Sequence, residues 1–151
     1  VLLGSGQGQY EQQAIELAED FPQKMGLHVG FDEARSELIY AGSDMFLMPS
    51  LFEPCGLSQL IAMRYGSLPV ARSVGGLIDT IPSEAGFFFP DFTPMSLRAV
   101  IDQALKIYHE QPDEWLKRQI RVMALDFSWE KSARQYVAMY REAKALRIVY
   151  A

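Results

Sequence analysis

A single cysteine, Cys55, occurs among the 151 residues. One thiol cannot close an internal disulfide, so nothing directs the chain to an oxidising compartment. Histidine is almost as scarce. His28 and His109 stand far apart, and with one cysteine they make no zinc ligand set, so no metal is expected. Positive charge is also in short supply: 14 Lys and Arg against 19 Asp and Glu leave a net charge of −5 and a pI of about 5.0. A nucleic-acid surface needs clustered cations to neutralise phosphates, so that partner class is excluded. The one loose grouping, Lys117 and Arg118 with Arg121, reads as a solvated helix face. No apolar run approaches the roughly 18 residues of a membrane span, so no membrane partner is expected, and no signal peptide is visible. Internal repeats, low-complexity tracts and linkers are missing too.

What is there is ordinary globular composition, with 49% hydrophobic, 12% aromatic and 22% charged residues. The length fits one domain, 1–151, able to bury roughly two-thirds of its unfolded surface. The chain begins inside an apolar run, Val1-Leu2-Leu3. That reads as a strand already under way, and with it comes the expectation of a piece cut from something longer.

Short apolar runs alternate with helical patterns. Val1 to Leu3 reads as a buried strand, and residues 9 to 20 as a helix stopped by Pro22. Leu27 to Phe31 is a second strand. Asp32 can cap a helix over 33–42, with Leu38 and Ile39 on its apolar face. Asp44 to Met48 is apolar without alternation, which predicts a strand buried on both faces. A helix follows from Leu57 to Gly66, then a strand over Leu68 to Ala71, a helical turn over Leu77 to Ile81 and a strand over Gly86 to Phe89. Helices over 94–110, 112–125 and 129–145 complete the chain, with Thr93-Pro94 and Ser128 as starting signals. This alternation predicts an α/β fold, a Rossmann-like parallel sheet flanked by helices. In such sheets ligands bind beyond the carboxyl ends of the strands, so function is sought in the loops that follow them.

Three such loops could carry chemistry. Gly4-Ser5-Gly6-Gln7-Gly8 has the glycines of half a dinucleotide fingerprint but not their spacing. It reads as a flexible strand-to-helix turn, with a nearby ligand contact as the alternative. In Pro49 to Ser58, Glu53 follows a buried strand, Pro54 stiffens the turn, and Gly56 permits close approach to a ligand. The N–H groups of Leu57, Ser58 and Gln59 at a helix start suit an anion. A carboxylate for sugar hydroxyls beside an anion cradle fits a sugar nucleotide; an ordinary loop with Glu53 capping nearby amides fits equally. The third loop, Gly75-Gly76-Leu77, permits a second small N–H nest. Cys55 has no nearby His and is expected as a small packed side chain rather than a nucleophile.

Together these loops resemble the C-terminal half of the bacterial glycogen synthase and plant starch synthase family. The carrying residues are Asp44 to Leu60, containing Phe52-Glu53-Pro54-Cys55-Gly56-Leu57, then Ala62 to Val70, Gly75 to Thr80 and Asp126 to Trp129. Val1 to Gly6 and Gly30-Phe31 fit the family's order, so the resemblance covers nearly the whole chain.

The resemblance implies one half of a GT-B glycosyltransferase, in which two Rossmann-like domains face each other across a cleft. It implies retaining transfer of glucose from ADP-glucose to the 4-hydroxyl of an α-1,4-glucan, with no metal or other cofactor. Glu53 would be the catalytic carboxylate at the donor glucose. Backbone amides at Cys55, Gly56 and Leu57 would face glucose and diphosphate, with Leu57 and Ser58 near phosphate and ribose. Gly30 and Phe31 would line the adenine pocket, and Gly75 and Gly76 would complete the donor site. Where the wider superfamily often has a second Glu, this chain has Ile61, and Ile81 to Phe88 is shorter than in relatives. The family's diphosphate-binding Arg and Lys fall upstream of Val1, as does the N-terminal domain that meets the glucan.

The expected function is therefore the donor-binding domain of an ADP-glucose-dependent glucan synthase, inactive alone and bacterial-cytoplasmic, or plastid if from a plant. Alternatives are a non-catalytic nucleotide-binding or assembly module, and a related transferase using UDP-glucose.

Overall fold

The computed structural model describes residues 1–149. Tyr150 and Ala151 of the expected 1–151 domain lie outside the described residues. The order is β1 (Leu2–Gly4), α1 (Gly8–Asp20), β2 (Leu27–Val29), α2 (Glu33–Gly42), β3 (Met45–Met48), α3 (Ser58–Arg64), β4 (Leu68–Arg72), α4 (Gly76–Thr80), β5 (Phe87–Phe89), α5 (Pro94–Glu110), α6 (Pro112–Met123) and α7 (Trp129–Val149). All ladders are parallel, as the strand–helix alternation predicts. Three expected caps are made: Asp32 Oδ1 accepts the Arg35 N–H at 2.9 Å, Thr93 Oγ1 the Ser96 N–H at 3.2 Å, and Ser128 Oγ the Lys131 N–H at 3.4 Å. Just before α7, the Ser128 hydroxyl and its backbone N–H hold the Asp126 carboxyl below the usual carboxylate range; the N–H lies 2.9 Å from Oδ1.

The sheet is not one piece. β1 pairs with β2, with Leu2 opposite Leu27, and β3-β4-β5 form a second sheet with Leu47 opposite Val70 and Ala71 opposite Phe88. No ladder joins β1 to β3 among the described residues. β3 is consequently a border strand. Leu47 is 49% exposed while Met48 is buried, so the expected burial on both faces does not hold.

The core packs β4 and β5 between helices. Met63 of α3, Val70 of β4, Phe87 of β5, Ala104 of α5 and Trp115 of α6 all belong to one cluster. Trp115 stacks on Phe87 at 5.9 Å and meets the Tyr108 edge at 5.0 Å. Arg118 closes this cluster from outside. Its guanidinium lies 5.1 Å from the Phe87 centroid and its Nε donates to Glu114 at 2.9 Å. Only 18% of that side chain is exposed, which corrects the solvated face expected for Arg118. A long side chain can cover an aromatic with its stem while the charge is paired. α2 differs from expectation in the opposite sense: Leu38 is 74% exposed and Ile39 half-buried. α2 is held instead by Tyr40, which contacts Phe46 at 5.3 Å and stacks with Tyr65 at 6.4 Å.

Candidate functional site

β3 and β4 are adjacent and parallel, so the loops after them leave the sheet at the same end. The first contains Glu53 and the second Gly75-Gly76. They are in direct contact. The Gly76 N–H donates to the Glu53 carbonyl at 3.0 Å. Gly75 has φ +49°, and a Cβ there would collide with the same carbonyl oxygen. A Cβ on Gly76 would stand 2.6 Å from Cys55 Cα and 2.8 Å from the Pro54 carbonyl oxygen. The glycine pair is thus explained by backbone-to-backbone contact, which no side chain permits. The N–H of Gly76 is engaged in this contact, so its part is to fix the Glu53 loop.

Glu53 is half-buried, and Ser50 Oγ reaches its Oε2 in a long 3.4 Å hydrogen bond. Arg72, at the end of β4, donates from Nη1 to the carbonyls of Leu51 at 2.7 Å and Ser50 at 3.3 Å. Three contacts, at Ser50–Leu51, at the carboxylate and at the carbonyl of Glu53, therefore restrain the loop.

The downstream half of the loop is organised by Gln59, which is fully buried. Its Nε2 donates to the carbonyls of Cys55 at 2.9 Å and Gly56 at 3.0 Å, and to Thr80 Oγ1 at 3.1 Å. Thr80 Oγ1 in turn donates a hydrogen bond to the Gly76 carbonyl at 2.6 Å. Gly56 has φ +76°, and any Cβ would enter the space of the Gln59 amide. With those carbonyls turned inward to Gln59, the N–H groups of Leu57, Ser58 and Gln59 find no acceptor among the described residues. α3 has seven residues, shorter than the expected run to Gly66, so local N–H groups outweigh any long-range dipole here.

Cys55 is exposed, its Sγ 3.6 Å from the Gly56 carbonyl. This corrects the packed side chain expected from its size. Its backbone is what packs, beneath Gly76, and the side chain is turned out. Gly30 and Phe31 follow β2 in the other sheet. Gly30 has φ +125° and its N–H donates to the Gly4 carbonyl at 2.9 Å. Phe31 is 89% exposed, a free ring at a strand's carboxyl end. No hydrogen bond among the described residues links this pair to the Glu53 loop.

Two concavities of about 590 Å³ flank Leu125 and Phe127, and neither is lined by Glu53 or the glycine pair. The candidate site lies on an open face, where Leu51, Phe52 and Leu57 around Glu53 are all exposed. Among the described residues no three His, Cys, Asp or Glu side chains converge on a metal position, and no helix is long and apolar enough to cross a membrane.

Sequence reasoning missed Arg72 and the side-chain roles of Ser50, Gln59 and Thr80. Arg72 had a signal: a charged residue ends a strand, Leu68 to Ala71, that is otherwise apolar and buried. Gln59 lies three positions beyond a glycine, but nothing local says that its amide turns inward.

Residues 1–121 match the family described as glycosyl transferases group 1. The glycogen synthase of Moorella thermoacetica is 48% identical over 95% of this chain, and that of Syntrophotalea carbinolica 46% over 97%; in each case 31% of the relative is covered. The chain thus spans about a third of the length of these relatives. Among solved structures, the catalytic domain of starch synthase IV from Arabidopsis thaliana, bound to ADP and acarbose, superposes with a TM-score of 0.78 at 38% identity, covering 92% of this chain and 31% of that one. Sucrose-phosphate synthase from Thermosynechococcus elongatus gives a TM-score of 0.65 at 29% identity, over 96% and 38%.

Proposed function

The chain belongs to the group 1 glycosyl transferases, and on that premise we propose that it is the donor-binding domain of a retaining ADP-glucose:α-1,4-glucan glucosyltransferase. Its fold is that of one half of a GT-B enzyme. The observation that carries the reading is the contact between the two loops. The Gly76 N–H fixes the Glu53 carbonyl at 3.0 Å, and so holds the loop that carries both Glu53 and the N–H groups of Leu57 and Ser58, which have no acceptor among the described residues. Glu53 then accepts hydrogen bonds from donor glucose hydroxyls and fixes the ring. The amides of Cys55, Gly56, Leu57 and Ser58 face the diphosphate. Gly30 and the exposed Phe31 ring offer a stacking surface for adenine, with Gly75 and Gly76 behind the sugar subsite.

Transfer with retention develops positive charge on the sugar and negative charge on the leaving diphosphate. Both need preorganised partners on two sides. This chain supplies one wall, and the α-1,4-glucan would be met by a second domain such as the longer relatives have room for. On this reading the chain alone binds ADP or ADP-glucose weakly, elongates no glucan and needs no metal. A cytoplasmic setting belongs to the same proposal.

The test is a titration with ADP, UDP and ADP-glucose followed by backbone amide shifts. ADP is expected to move Gly30, Phe31 and Leu57 more than UDP does, with EDTA making no difference. Shifts confined to α7 would sink the site. Stronger binding of UDP would replace ADP-glucose by UDP-glucose as donor.

A further inference from the structure

We infer that Arg72 is a positioning residue for Glu53, acting through the backbone of Ser50 and Leu51. The inference rests on the donor-site reading above, since it concerns where the Glu53 carboxylate stands relative to a bound sugar.

Arg72 ends β4, where every preceding residue of the strand is buried, and is itself only half-buried. Its Nη1 bridges two successive carbonyls, Leu51 at 2.7 Å and Ser50 at 3.3 Å. Bonds from a charged donor are stronger than neutral ones, and a rigid guanidinium fork fixes direction as well as distance. The fork itself is held: its central carbon lies 5.6 Å from the Phe92 centroid, within cation–π range. Ser50, whose backbone Arg72 fixes, reaches the Glu53 carboxylate with its hydroxyl at 3.4 Å. Orientation thus passes from Phe92 to Arg72, to the Ser50 main chain, to the Ser50 hydroxyl and to Glu53 Oε2.

The peptide after Glu53 is fixed independently by Gly76 and Gln59. Loss of Arg72 should therefore leave the amides of Leu57 and Ser58 in place while freeing the carboxylate. The free Nε of Arg72 is buried without an acceptor among the described residues, a cost that a lysine would not carry. Lysine offers a point charge on a flexible stem without the planar group that lies against Phe92, so it can reach the carbonyls but holds their direction less rigidly.

The experiment compares affinity for ADP and for ADP-glucose, by amide-shift titration of the wild-type chain, Arg72→Gln, Arg72→Lys and Ser50→Ala. The wild type is expected to prefer ADP-glucose. Arg72→Gln should bind ADP within about twofold of wild type and lose the sugar preference. Arg72→Lys should recover part of it, and Ser50→Ala should lower it with no further loss when combined with Arg72→Gln. If Arg72→Gln keeps the full preference, or if ADP and ADP-glucose weaken together, the inference is overturned while the donor-site reading stands. Should Arg72→Gln not fold, Arg72→Lys decides: a reduced sugar preference with ADP affinity within about twofold supports the inference, and a full preference overturns it. If the wild type binds ADP with no preference for ADP-glucose, Glu53 does not reach the sugar and the inference falls. If it binds neither, the donor-site reading fails first and takes the inference with it.

Discussion

Residues 1–47 contain no buried residue, whereas every member of the core lies between Met48 and Val122. Both regions are built from the same units, short parallel strands joined by helices. In the first, β1 and β2 pair only with each other, and α1 and α2 bury no residue. In the second, β4 is paired on both sides and covered by α3, α5 and α6. The contrast teaches that the strand–helix alternation specifies which strands run parallel, but not how much surface each unit removes from water. Stability per residue therefore differs between the regions although their local structure does not. The candidate site sits across this contrast. Glu53 and the glycine pair rise from the packed region, and Gly30 and Phe31 from the open one.

Equal truncations should break the symmetry most visibly. Leu68→Ala removes a fully buried side chain at the start of β4 and should cost about 2–5 kcal/mol in denaturant unfolding. Leu38→Ala, on exposed α2, should change it by less than about 0.5 kcal/mol. Similar values for the two would erase the distinction.

Glycine replacement sharpens the comparison at the site. Gly76→Ala puts a Cβ 2.6 Å from Cys55 Cα, so the backbone must shift, at roughly 1–3 kcal/mol. It should also disperse the amide signals of Cys55 and Gly56. Gly6→Ala in the open region meets nothing within 4 Å and should be neutral or slightly stabilising, by up to about 1 kcal/mol.

The smallest effect concerns the segment that follows the core. The folded-state pKa of Asp126 is lowered by its bonds to Ser128. The carboxylate therefore contributes stability above its unfolded pKa, and that contribution is lost as pH falls below about 4. Asp126→Asn should lower stability slightly at neutral pH and leave the acid extreme unchanged, so that the acid limb of the stability–pH curve flattens. An unaltered limb would show the bond to be inconsequential in solution.

Much of this was legible in sequence. Element order, three helix caps and the loops in which to seek the site came from apolar periodicity, capping residues and the rule for parallel sheets. The Gly75-Gly76 pair was legible as a tight turn, but its partner was not, because the reason for it is a carbonyl 22 residues upstream at Glu53. Arg72 escaped notice because its role rests on backbone acceptors in another loop, which any residue type offers, and Ser50 because only the folded loop turns its hydroxyl to the Glu53 carboxylate. The split sheet and the exposed Leu38 and Leu47 escaped for a related reason. Apolar periodicity marks a face able to be covered, and the cover is a tertiary matter. Arg118 shows the converse: its charge predicted solvent, while its stem and a neighbouring Glu114 allowed burial.

The clamp on the Glu53 loop has a consequence in time as well as space. Gly76 holds the Glu53 carbonyl at one end of α4, while Thr80 at the other end is bonded to Gln59, which holds Cys55 and Gly56. A five-residue helix tied to one loop at both ends has no independent hinge. Opening on the microsecond-to-millisecond scale would thus carry Glu53, Cys55, Gly56, Gly76 and Thr80 together, with one common exchange rate. Whatever frequency that rate has, the main chain of Glu53, Cys55 and Gly56 keeps one clock with α4.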